Sequence, residues 1–139
     1  MKQHILHYLL KNSLTCTATL CALALASAHA ATVTWDGDTD NTWADGTNWV
    51  GDVAPVGGDT IVFGGAGGTL SNDIGADTVF KLEFNAADGY DLDGNSIDLV
   101  NTGNVITQTA GSGTNIISLD INDSTGDFRP TVNEGTLII

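Results

Sequence analysis

Trp35, Trp43 and Trp49 are the only tryptophans of this 139-residue chain, and Asp36, Asp38, Asp40, Asn41 and Asn48 are interleaved with them. An indole face can stack on the apolar face of a sugar ring while neighbouring carboxylates and amides take its hydroxyls. The stretch is therefore a candidate polysaccharide-binding platform. The same rings have a second use. Each buries a large apolar area, and a layered β fold needs such a seal over its first layer. The seal is the preferred reading, because the cluster sits where a first rung would need one.

The run Asp36-Gly37-Asp38-Thr39-Asp40-Asn41 offers oxygen ligands on alternate residues, a pattern that suits a hard cation such as calcium. Asp36, Asp38 and Asp40 are the candidate ligands. Against them, Asn41 stands where a helix-flanked calcium loop wants glycine, and Thr47 stands where it wants glutamate. The glycine-rich nonapeptide of calcium-binding β-helices is absent as well. An acidic turn without metal is the expectation. Asp91, Asp93 and Asn95 form a second and weaker cluster of the same kind.

Catalytic chemistry has few residues to draw on. Every His and Cys precedes Ala30, in a segment whose anatomy is that of a removable leader. Ser–His, Cys–His and His-ligated metal chemistry are thereby excluded from what remains. Paired carboxylates suffice for some glycosidases, but with 17 Asp and Glu in the chain a chance pair carries no information. Arg129, beside Pro130, is the only arginine and has no evident companions. Gly64-Gly65-Ala66-Gly67-Gly68 lacks the Lys-Ser/Thr sequel of a phosphate loop and reads as a turn. Asn122-Asp123-Ser124 fits a glycosylation acceptor, relevant only in a eukaryotic source. The chain is expected not to be an enzyme.

The elements that would position these residues begin with the leader. Lys2 and Lys11 bracket a positive start, an uncharged Leu- and Ala-rich stretch runs from Leu14 to Ala26, and Ala28-His29-Ala30 supplies small residues where signal peptidase reads. The apolar stretch is short for a membrane span, so cleavage before Ala31 is expected, with Ala26-Ser27-Ala28 as a second possible site. Residues 1–30 are thus assigned as a signal peptide, and the protein as exported to the extracellular space or outer cell surface. Only Lys81 and Arg129 then oppose all 17 acidic residues. Such a charge disfavours nucleic acid and anionic membranes, while divalent cations remain plausible partners.

Past Ala30 the chain is rich in Gly, Thr, Asn and Asp and poor in strong helix formers. Period-two runs recur at Thr32–Trp35, Thr60–Phe63, Thr78–Phe84, Tyr90–Leu92, Ser96–Leu99, Asn104–Thr107, Asn115–Ile121 and Thr136–Ile139, with turns rich in Gly, Asn and Asp between them. Phe80, Leu82 and Phe84 fall on one face of the third run, opposite Lys81 and Glu83. The fold is all-β. Spacing alone leaves sandwich, barrel and solenoid open. The lack of matched hairpin strands favours a β-solenoid, with a β-sandwich as the alternative. A Trp-rich cap is expected over 31–77 and solenoid rungs over 78–139. The apolar end at Leu137-Ile138-Ile139, with no closing element, predicts truncation.

Trp35-Asp36-Gly37, Trp43, Asn48-Trp49, Pro55 and Asp59-Thr60-Ile61-Val62-Phe63 resemble the start of bacterial autotransporter-associated β-strand repeat proteins. Leu82-Glu83-Phe84, Tyr90-Asp91-Leu92, Ile97-Asp98-Leu99 and Gly135-Thr136-Leu137 are similar to the way that family continues. The resemblance implies a right-handed parallel β-helix, export through the inner membrane, and a structural or adhesive role at the cell surface. The chain departs from the family in lacking a long repeat array and a C-terminal β-barrel or sorting anchor. Polysaccharide or other surface components are the expected partners, besides signal peptidase during export. A polysaccharide-binding module and the non-catalytic cap of a larger β-helical enzyme are the alternatives.

Overall fold

The computed structural model describes residues 30–99, 105–123 and 130–139. The leader expected over residues 1–30, apart from Ala30, lies outside the described residues. So do the turn at Asn101–Asn104, Ser124 of the glycosylation acceptor and Arg129. Among the described residues the chain forms β-strands and one short 3-10 turn, with no α-helix.

Among the described residues the strands pair in parallel, and the ladders sort into three faces. Face A stacks β1 (Thr32–Trp35), β2 (Thr60–Phe63), the second half of β4 (Thr78–Phe84), β7 (Ile106–Gln108) and β10 (Pro130–Val132). Face B stacks β3 (Gly68–Asn72), β5 (Tyr90–Gly94), β8 (Thr114–Ile117) and β11 (Thr136–Ile138). Face C stacks the first half of β4, β6 (Ile97–Leu99) and β9 (Ile121–Asn122). The chain visits A, B and C in turn and then repeats, which makes a β-solenoid of about three turns. Thr60 pairs with Lys81, Leu82 with Ile106, and Ile106 with Pro130. Each coil thus takes about two dozen residues, within the range of solenoid repeats. A β-sandwich is ruled out, since its strands pair antiparallel.

Parallel, in-register stacking lays each inward side chain on its counterpart one coil away. On face A one inward column is Val33, Ile61, Leu82 and Ile106, and the next is Trp35, Phe63, Phe84 and Gln108. On face B, Leu70 lies over Leu92, which lies over Ile117. Phe80, Leu82 and Phe84 are all buried while Lys81 and Glu83 are only partly covered, as the alternation in the sequence requires. Each fully buried side chain of this size contributes about 1.5–3 kcal/mol over its exposed state. Period-two patterning therefore both drives the strands inward and sets their register.

The corner between faces A and B depends on glycine. Gly67, Gly89, Gly113 and Gly135 occupy it in successive coils, each beside the start of a face B strand. A Cβ on Gly89 would lie 1.6 Å from the Thr114 carbonyl oxygen, and one on Gly67 would lie 2.0 Å from that of Gly89. Backbone is thus stacked directly on backbone, and no side chain fits between coils.

Three sequence expectations change. The ladders begin well before residue 78, because β2 and β3 already pair with the next coil. β3 was hidden by its composition: Leu70 is its only large apolar residue, and a glycine-rich turn precedes it. The expected single strand from Asn115 to Ile121 is two strands on different faces. They are separated at Ser118 and Leu119, whose N–H groups both donate to the Leu92 carbonyl.

Candidate functional site

The Trp-rich stretch is the least regular part of the solenoid and the most densely aromatic. β1 supplies its face A edge. The chain then loops outward and is pinched shut where Trp35 bridges Trp49 in antiparallel fashion, with Val50 N–H donating to the Thr34 carbonyl and Asp36 N–H to that of Asn48. Midway, Thr42 bridges Ser71 in parallel and so extends face B by one position. Farther on, Gly58 N–H donates to the Val79 carbonyl, beside face C. Residues 31–59 therefore form an irregular extra coil that reaches all three faces.

Within that coil the three indoles point inward. Trp43 and Trp49 are fully buried and Trp35 is 5% exposed. Trp49 meets Trp35 edge-on at 5.0 Å between centroids and Trp43 at 6.3 Å, with interplanar angles of 87° and 88°. Trp43 in turn rests on Phe63 and Phe80, at 5.5 Å and 6.1 Å. The contacts continue downward, since Phe63 stacks on Phe84 at 5.1 Å and both touch Tyr90. Edge-to-face pairs of this kind add about 0.5–1.5 kcal/mol each beyond area burial.

This geometry corrects the platform reading of Trp35, Trp43 and Trp49. A sugar-binding platform needs exposed, roughly coplanar faces, whereas these rings are buried and Trp49 stands perpendicular to both of the others. The Trp49 Nε1–H donates to the Trp43 carbonyl at 2.8 Å. Trp43 Nε1–H is buried without an acceptor among the described residues, which costs about 1–3 kcal/mol. Packing outweighs that loss, because the ring is fully buried against Trp49, Phe63 and Phe80.

The polar residues of the loop organise around Asn48 rather than around a metal. Asn48 is fully buried; its Oδ1 accepts from the N–H groups of Thr39 and Asp40, both at 2.9 Å, and its Nδ2 donates to Asp40 Oδ1 and the Thr42 carbonyl. Asp40 Oδ1 also accepts from Thr42 N–H and Thr42 Oγ1, each at 2.8 Å. Hydrogen bonds from the Thr42 backbone, the Thr42 hydroxyl and Asn48 hold the Asp40 carboxyl below its usual pKa. Asp36 and Asp38 are exposed, and no group of three His, Cys, Asp or Glu side chains is placed to hold a metal among the described residues. The candidate calcium ligands Asp36, Asp38 and Asp40 are therefore not gathered into a site; Asp40 serves the loop. Asn48 itself escaped the sequence reading as an organiser. Its signal was an amide set directly before a tryptophan, at the end of a loop rich in Asp and Thr.

Two further buried polar groups bear on the interior. Gln108 is fully buried, donates through Nε2 to the Gly113 and Glu134 carbonyls, and accepts at Oε1 from Asn115 Nδ2 at 3.1 Å. Asn115 Oδ1 then accepts from Tyr90 N–H. Tyr90 donates its hydroxyl to the Gly64 carbonyl, and burial raises its pKa. Asp59, 3% exposed, accepts from Ala31 N–H at Oδ1 and from Val56 N–H at Oδ2.

No protein-family model, curated protein or solved structure matches the chain.

Proposed function

We propose that the chain is an exported, non-enzymatic structural segment, a stiff spacer or adhesive element of the cell surface resembling the passenger regions of autotransporter-associated repeat proteins. The observation that carries this reading is the continuous set of parallel ladders over an aromatic interior, closed at the β1 end by the Trp-rich coil. Mechanically, such a stack resists bending because each coil is bonded to the next along three faces. Its acidic exterior keeps the stack hydrated and discourages edge-to-edge association. The perturbed titratable groups support the same reading: loop hydrogen bonds lower the Asp40 pKa and burial raises that of Tyr90, so both shifts come from contacts that hold the fold.

The test is deletion of the gene in its native host, with immunolabelling of the wild type and a polysaccharide-cleavage assay on the purified protein. Labelling at the cell surface, weakened attachment on deletion, and no cleavage are expected. Cytoplasmic labelling or turnover of a polysaccharide would overturn the proposal.

A further inference from the structure

We propose that removal of the leader creates a structural ion pair: the new α-ammonium at Ala31 is received by the buried carboxylate of Asp59. The inference rests on the export reading above and adds to it a cleavage position and a role for Asp59.

Three observations converge. Asp59 is almost completely buried, yet its carboxylate is met only by two backbone N–H groups, of Ala31 at 2.8 Å and of Val56 at 2.9 Å. No ion pair to it is formed among the described residues. A buried carboxylate with neutral donors alone is costly, and a cationic donor in the same place strengthens the bond. The second observation is positional. Ala31 is fixed from its other side, because its carbonyl accepts from Thr60 N–H at 2.8 Å. Its nitrogen is therefore held against Asp59 by the same ladder that starts β1. The third is in the sequence: Ala28-His29-Ala30 places the expected cut at the bond whose nitrogen faces Asp59.

Water adds across the Ala30–Ala31 peptide bond under signal peptidase, leaving a carboxylate on Ala30 and an ammonium on Ala31. One neutral donor to Asp59 thus becomes a charged one with no movement of the chain. Cleavage at the upstream site, after Ala28, would leave the charge two residues away and Asp59 uncompensated. The geometry therefore discriminates between the two sites that the leader offers. It also ties processing to the cap, since Asp59 Oδ2 fixes Val56 in the return of the irregular coil.

The experiment expresses the full chain in an exporting bacterium, determines the N-terminus of the exported protein by intact mass, and follows acylation by an N-hydroxysuccinimide ester at neutral pH. Lys81, the other amine left by processing apart from the terminus, serves as internal reference. The expected result is an Ala31 terminus that is acylated about tenfold more slowly in the native protein than in urea, one unit of proton affinity being tenfold in free amine. Asp59→Asn should abolish that protection. Asp59→Asn keeps the shape around the amine and so separates charge from shielding, and the native-against-urea comparison can be read even where that variant fails to fold. An Ala31 terminus that reacts equally fast in both states would overturn the ion pair alone. A terminus at His29 would overturn the cleavage position while leaving export intact. An uncut chain kept in the cytoplasm would overturn the proposal together with the export reading.

Discussion

Followed down face A, the inward column that begins with Trp35, Phe63 and Phe84 changes to Gln108. The coils nearest the cap are filled by aromatic rings in mutual contact, and the third coil by Val105, Ile106, Ile117 and Leu119 around an amide pair. Gln108 and Asn115 are as fully enclosed as the phenylalanines, but every polar atom they bring inside is matched by a carbonyl, an N–H or one another. One end is held by the area that it buries, the other by satisfied hydrogen bonds around a smaller apolar filling. The two respond differently to substitution, because lost area scales with the atoms removed whereas a broken network leaves orphans.

The largest effect is expected at the aromatic end. Trp43→Ala removes the ring on which Trp49, Phe63 and Phe80 converge and should cost about 3–5 kcal/mol, measured by urea unfolding. A loss below about 1 kcal/mol, typical of surface positions, would break the comparison at its strongest point. Gly89→Ala follows. With the Thr114 backbone so close, the coils must separate, at a cost near the upper end of the roughly 1–3 kcal/mol typical of overpacking. Gln108→Leu comes next: it keeps the volume but strips partners from Asn115 Nδ2 and from the Gly113 and Glu134 carbonyls. About 1–3 kcal/mol of destabilisation is expected, despite the gain in hydrophobicity. A more stable variant would show that the amide pair is not what holds this coil.

The smallest effect is pH-dependent and local. The Asp40 pKa is lowered in the fold by its bonds to Thr42 and Asn48. Its contribution is therefore present above the unfolded carboxyl's pKa and is lost as pH falls through the lower folded value. Protection from hydrogen exchange, relative to the intrinsic rate at each pH, should fall at the N–H groups of Thr39, Asp40 and Thr42 on acidification below about pH 4, ahead of protection in β4. Asp40→Asn should remove that early acid step.

Much of this contrast was open to sequence reading, and the part that was not has physical reasons. The alternation of Phe80, Leu82 and Phe84 fixed which side of β4 turns inward, and the size of the three tryptophans suited them to the buried places they take. The solenoid repeat was harder to see because its period is carried by single glycines at the A–B corner. Gly67, Gly89, Gly113 and Gly135 mark each coil, yet the strands that follow them share no common apolar pattern. Sugar stacking by the tryptophans could not be decided from residue type, since an indole serves a core and a platform equally well. Asn48, Gln108 and Asn115 were illegible as interior residues because an amide is ordinarily a surface residue, and only the fold supplies its partners.

The central claim is that the Trp-rich coil is an interior seal, and fluorescence of the native protein tests it most directly, since the chain's three tryptophans all lie in that coil. Blue-shifted emission, weak quenching by acrylamide and indifference to added polysaccharide are the predicted result. Emission and quenching like those of the urea-unfolded chain, or a spectral shift on adding a polysaccharide, would contradict it.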